Sequence, residues 1–133
     1  MKKTFNLFVY GTLKKGQRAN RYLSTSEFIG NATTKDSIFD MQSNQGLYPF
    51  AFLNGNNRIS GEIYSVPMDE LKFLDMYEGY SPDGKGLYLR DEFNYVLDDG
   101  KEIKAIMYYQ KSNVHNLKNL TNIGSDGDKL FWK

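Results

Sequence analysis

A chain of 133 residues with no cysteine, one histidine and a formal charge of +1 is long enough for one self-supporting core and lacks the groups for several chemistries. Without cysteine there is no disulfide, no thiolate zinc site and no Cys nucleophile, and His115 alone cannot build a His-rich metal site. The near-neutral charge provides no field to gather nucleic acid or an acidic membrane, so neither is an expected partner. One domain over residues 1–133 is expected, with 10 Tyr and 9 Phe to fill a β-rich core and line a pocket.

Met1-Lys2-Lys3 opens like a signal peptide. The apolar stretch behind it is short, is broken by Asn6 and precedes no A-x-A site, so it reads as a first strand. No run approaches the ~20 apolar residues that span a bilayer, and a soluble, cytoplasmic protein is the expectation. The N-x-[ST] matches at Asn31 and Asn119 are of the kind that chance supplies.

Thr4 to Tyr10 carries apolar residues on both parities, which predicts a central strand buried on both faces. Lys14 to Arg18 is a loop and Arg18 to Leu23 a short helix. Phe28 to Phe39 reads as one strand, and Asn44, Gly46 and Pro49 make Gln42 to Pro49 a turn region. Phe50 to Leu53 and Arg58 to Val66 are strands, and Asn54-Gly55-Asn56-Asn57 between them is a hairpin signal.

After Pro67, a helix is predicted from Asp69 to Tyr77 or Glu78, with acidic residues in its first turn and Gly79 as its stop. Ser81 to Gly86 is a loop. Leu87 to Val96 and Glu102 to Tyr109 form an antiparallel pair about Asp98-Asp99-Gly100, and the tail from Lys111 is polar. About six strands and one helix, with turns every ~8–12 residues, predict an α+β domain: a curled sheet or small barrel.

Leu71, Leu74 and Glu78 lie at i, i+3 and i+7, on one helix face. Phe73 and Tyr77 pair beside it, while Asp69, Glu70, Lys72 and Asp75 point elsewhere and are expected in solvent. An apolar stripe that ends on a carboxylate has two readings. Either Glu78 reaches water or an Arg from a frayed last turn, or it is a partly desolvated acid at a pocket. Burial, and the negative end of the helix dipole, would then raise its pKa toward the range useful for proton transfer.

Tyr10-Gly11-Thr12-Leu13, where the first strand ends, likewise has two readings. Gly11 either permits a turn or lets a ligand approach N–H groups that form an anion-binding nest. No phosphate-loop pattern accompanies it, which argues against a nucleotide.

Taken in order, "YGTLKKG" (Tyr10–Gly16), "YPFA" (Tyr48–Ala51), "GEIY" (Gly61–Tyr64), "LDMYEGY" (Leu74–Tyr80), "YLR" (Tyr88–Arg90), "AIMYY" (Ala105–Tyr109) and a closing "GDKLFW" resemble the γ-glutamylcyclotransferase-like, or AIG2-like, family over nearly the whole chain. The resemblance implies a small mixed β-barrel with a few surrounding helices. It implies an enzyme that cyclises a γ-glutamyl amine or γ-glutamyl amino acid to 5-oxoproline and frees the amine, with no metal or cofactor. It implies Glu78 as the acid/base and the Tyr10, Gly11, Thr12 and Leu13 loop as the holder of the γ-glutamyl part.

Further candidates are Pro49 as pocket wall and Tyr108 or Tyr109 as hydrogen-bonding groups. Arg90 is either a carboxylate partner or an exposed strand residue, and Arg18, Asn20 and Arg21 are candidates for the rim. The glycines after Glu78 suggest a lid. A monomer or weak homodimer is expected. The rival reading is a non-catalytic small-molecule binder on the same fold. A serine hydrolase through His115 lacks the G-x-S-x-G motif.

Overall fold

A computed structural model describes residues 3–81, 83, 86, 88–110 and 119–133. His115 and, in the loop read as a lid, residues 82, 84, 85 and 87 lie outside the described residues. The strands are β1 (Thr4–Val9), β2 (Glu27–Thr34), β3 (Phe39–Asn44), β4 (Tyr48–Leu53), β5 (Arg58–Pro67), β6 (Leu89–Leu97), β7 (Glu102–Tyr109), β8 (Ile123–Asp126) and β9 (Lys129–Trp132). A 3₁₀ turn covers Asn20–Leu23, and the helix α1 (Met68–Glu78) follows β5.

The large sheet runs β1-β7-β6-β2-β5-β9-β8, and β1 also pairs with β5. That extra pairing closes β1, β7, β6, β2 and β5 into a ring, a five-stranded barrel with β9 and β8 extending from β5. The β1–β5, β2–β5, β2–β6 and β6–β7 ladders are antiparallel, whereas β1–β7 and β5–β9 are parallel, so the barrel is mixed as expected. Closure removes the open edges that a curled sheet would leave.

The double-sided burial read for β1 is explained by two cores. Phe8 joins Ala32, Ile63, Tyr95, Ala105 and Met107, a cluster drawn from all five ring strands; Phe8 and Tyr95 stack at 4.5 Å. Leu7 and Val9 instead join Tyr64, Val66, Leu71 and Leu74, between the ring and α1. Each parity of the strand thus feeds a separate apolar interior.

Several boundaries differ from the sequence reading. Phe28–Phe39 is not one strand: β2 stops at Thr34, and β3 starts at Phe39 in a separate two-stranded sheet with β4. The turn-rich Gln42–Pro49 region is mostly hairpin. Gln45 and Gly46 take positive φ (55° and 76°) and carry the turn, while Asn44 and Pro49 lie in the paired arms. The hairpin signal at Asn54–Asn57 joins no hairpin, because β4 pairs with β3 and β5 with β1 and β2. There the Phe39 backbone exchanges hydrogen bonds with Asn57 (3.0 and 2.8 Å), and a Cβ on Gly55 would lie 2.2 Å from the Phe39 oxygen. That glycine serves a close crossing of two sheets. The polar tail ends in the β8–β9 hairpin, with Gly127 at φ 61° and Trp132 buried.

The helix prediction is met within one residue. Leu71 and Leu74 are buried, and Gly79 ends the helix in the left-handed conformation at φ 71°. Two of the acids expected in solvent are engaged: Glu70 accepts hydrogen bonds from Thr25 and Ser26, and Asp75 is half-buried against Arg90.

Candidate active site

The glycine turn is built by its carbonyls. The Gly11 oxygen accepts from the Lys14 N–H at 3.0 Å, the Thr12 oxygen from the Ala19 N–H at 2.9 Å, and the Leu13 oxygen from the Asn20 side-chain amide at 2.8 Å. Buried Leu13 pins the loop into the core beneath α1. With those carbonyls turned back into the loop, the backbone N–H groups of Gly11, Thr12 and Leu13 donate to no acceptor among the described residues.

A second layer fixes the same loop to the barrel. Glu62 on β5 accepts from the Lys15 N–H at 2.9 Å and from the Tyr64 hydroxyl at 3.1 Å; that hydroxyl in turn accepts from Asn20 at 3.3 Å. The "GEIY" strand therefore holds the far side of the turn. Gly11 itself sits against Pro49, where an added Cβ would lie 2.7 Å from the ring Cγ and 2.8 Å from Cδ. Close approach to the β3–β4 hairpin is thus one answer to why the strand ends on glycine.

Beside this turn is a cavity of about 270 Å³, which is a size for a small metabolite. Tyr10, Gly11, Thr12, Leu13, Pro49, Glu78 and Tyr108, the residues singled out from sequence, all line it. β1 brings the turn, β4 brings Pro49, the last turn of α1 brings Glu78, and β7 brings Tyr108. Tyr109, of opposite parity, packs in the other core and donates to Asp91.

Glu78 is partly exposed as a residue, yet its carboxyl is enclosed, and burial pushes its pKa up to about 7. Among the described residues it makes no ion pair. Of the two sequence readings, the desolvated acid is the one that the fold produces. The stripe Leu71, Leu74, Glu78 turns toward the barrel, and its polar end meets the cavity instead of bulk water.

Three tyrosines around it, Tyr10, Tyr88 and Tyr108, are held protonated by their burial. Tyr10 is buried, and its hydroxyl donates to the Tyr108 carbonyl at 2.8 Å while accepting from the Ala51 N–H at 3.1 Å. Burial drives its pKa well above the usual phenol value, against the Ala51 bond, which lowers it, and with a smaller push upward from Glu78. Tyr108 donates its own hydroxyl proton to Asp75 at 2.6 Å, so toward the cavity it offers its ring and its remaining lone pairs. Burial, with Tyr10 and Glu78 adding to it, likewise keeps the Tyr88 hydroxyl neutral.

Tyr48, Tyr77, Tyr88, Phe8 and Val9 also line the cavity and are absent from the sequence-based site. Tyr48, Tyr77 and Tyr88 stand in the quoted "YPFA", "LDMYEGY" and "YLR" motifs, which was the available signal. Of the rim candidates only Arg18 lines the cavity; Asn20 braces the loop, and Arg21 donates to the Arg18 carbonyl and to Tyr22. Arg90 pairs with Asp75 at 2.6 Å and lies over the Tyr80 ring. Among the described residues no group of His, Asp and Glu is arranged to hold a metal ion, and no helix is long and apolar enough to cross a membrane.

The closed barrel thus carries a cavity lined by one enclosed carboxyl and by a turn whose amides, among the described residues, meet no acceptor. The chain belongs to the family described as Gamma-glutamyl cyclotransferase, AIG2-like, whose model matches residues 7–128, which makes cyclotransferase the class of enzyme. It is 39% identical over 105 residues to MJ1514 of Methanocaldococcus jannaschii, provisionally assigned as a γ-glutamylcyclotransferase, with 77% of this chain and 82% of that one covered. It is 41% identical over 81 residues to γ-glutamylaminecyclotransferase A of Danio rerio, covering 55% of this chain and 50% of the relative, and so spans half the length of that protein. The crystal structure of an AIG2-like protein from Mus musculus superposes with a TM-score of 0.67 at 26% identity, over 80% of this chain and 76% of that one.

Proposed function

We propose that this protein cyclises a γ-glutamyl amine or γ-glutamyl amino acid, releasing 5-oxoproline and the free amine, with Glu78 as the acid/base. The observation that carries the reading is that Glu78 and the unpaired N–H groups of Gly11 to Leu13 line one cavity.

Ionised Glu78 takes a proton from the substrate's α-ammonium. The freed nitrogen attacks the γ-carbonyl carbon, forming the ring C–N bond and a tetrahedral oxyanion. Collapse breaks the original amide C–N bond, and Glu78 returns the proton to the departing nitrogen, which is a poor leaving group without it. Glu78, ionised again, takes the second proton from the ring nitrogen and passes it to the freed amine, which departs as an ammonium, so bonds and protons balance with no water consumed. A carboxyl whose pKa is about 7 is suited to both transfers near neutrality. The Gly11–Leu13 amides hold a substrate carboxylate or the oxyanion; donors to an oxyanion are typically worth ~2.7–4 kcal/mol. Because the attack is intramolecular, a cavity that keeps the substrate folded supplies much of the rate.

The test is 5-oxoproline release from a panel of γ-glutamyl compounds by wild type and Glu78→Gln. The expected loss in the variant is ~10²–10⁴-fold. Undiminished turnover removes Glu78 from the mechanism; binding without turnover across the panel makes the protein a binder.

A further inference from the structure

Resting on the cyclotransferase reading, we infer that the site selects substrates whose leaving half carries a carboxylate, and that Arg18 is the residue that reads it. Among the described residues, the cavity is lined by only two charged side chains, Glu78 and Arg18; the remainder of its wall is aromatic, aliphatic, hydroxyl or backbone. Arg18 is exposed, and its guanidinium forms no ion pair or hydrogen bond among the described residues.

The charges of the substrate can then be matched one by one. The γ-glutamyl half brings one ammonium and one carboxylate. The ammonium has to meet Glu78 for the reaction to begin, and the carboxylate suits the amides of the Gly11–Leu13 turn. Arg18 is left over. A cationic leaving half would face it with like charge, a neutral one would ignore it, and an anionic one would complete the pairing. The guanidinium fork favours a carboxylate in particular, since it can donate two parallel hydrogen bonds.

Calorimetric binding to Glu78→Gln protein, with and without Arg18→Ala, tests the inference. The probes are two pairs that differ only in the carboxylate: γ-glutamylalanine against γ-glutamylethylamine, and γ-glutamyl-6-aminohexanoate against γ-glutamylpentylamine. The expected result is a preference of roughly 3–10-fold for the carboxylate member of at least one pair, as befits an ion pair at a cavity rim. That preference falls toward one in Arg18→Ala and is partly kept in Arg18→Lys. The pair that shows it gives the distance of the carboxylate from the scissile bond.

The inference is overturned by the absence of any carboxylate preference, by a preference that survives Arg18→Ala, or by equal weakening of both members of a pair. The last outcome would put Arg18 on the glutamyl half instead. None of these readouts needs catalysis. Continuing heat from cyclisation in the Glu78→Gln protein would count against Glu78 as acid/base and leave the selection measurable from kcat/KM ratios.

Discussion

Tyr108 of β7 donates its phenolic proton to Asp75 of α1 at 2.6 Å, tying the barrel to the helix one turn before Glu78. Arg90 pairs with the same carboxylate at 2.6 Å, and the Asp75 and Arg90 side chains are only 22% and 24% exposed, so the pair is shielded more than a surface salt bridge. Asp75 touches no substrate in the proposed scheme; it fixes the turn from which Glu78 projects.

Asp75→Asn is therefore expected to act on kcat more than on KM, lowering it by about tenfold to a hundredfold through misplacement of the acid. It should also destabilise the fold by roughly 1–3 kcal/mol, since it leaves Arg90 half-buried without its counter-charge. Tyr108→Phe should do the same more mildly. Coupling in the double variant, read from kcat and urea midpoints, should depart from additivity by ~0.5–3 kcal/mol. Additive effects would mean that the two residues act separately.

The raised pKa of Glu78 has a sign in both stability and rate. Its carboxyl titrates near 4.5 when unfolded and at about 7 when folded, so between these values the native state holds a proton that the unfolded chain has lost. Stability should fall as pH rises from about 4.5 to 7 and flatten above, by up to about 3 kcal/mol for this group. Glu78→Gln cannot ionise and should lose that slope, which urea unfolding at pH 5, 6, 7 and 8 measures. Activity should run the other way: kcat/KM climbs as pH passes about 7 and the base ionises. Parallel stability curves for the two proteins would mean that Glu78 titrates elsewhere.

Gly11→Ala is expected to damage the cavity through Pro49. The new Cβ would lie 2.7 Å from a ring carbon that cannot swing aside, so the hairpin or the turn must shift. Overpacking of this kind costs typically ~1–3 kcal/mol, and substrate KM should rise with it. Gly11→Ala/Pro49→Ala removes the colliding ring atoms and should recover much of the stability, as thermal unfolding would show. No recovery would place the strain elsewhere.

Tyr10→Phe keeps the ring and deletes one oxygen with two duties. The Ala51 N–H and the Tyr108 carbonyl both lose their partner in a buried setting. The expected cost is roughly 1–3 kcal/mol, seen as a lower urea midpoint with the slope unchanged. A neutral outcome would imply that both backbone groups find other partners.

How much of this was legible in the sequence depended on the range of the interaction. α1 and its carboxyl-ended stripe could be read directly, because helical periodicity puts Leu71, Leu74 and Glu78 on one face whatever the rest of the chain does. The two-faced burial of β1 and the αL stop at Gly79 are equally local. The ordered motifs from "YGTLKKG" to "AIMYY" carried the family. What the sequence could not determine were choices made between distant segments. Asn54–Asn57 reads as a hairpin by local chemistry, but β4 had a better partner in β3. Asp75 looks like a solvated helix residue until β6 brings Arg90 to it. Above all, whether Glu78 met water or a cavity was decided by ring closure, because the pairing of β1 with both β5 and β7 sets the glycine turn beside the end of α1. Periodicity fixes the face a side chain points from, and only the packed partner fixes what it points at.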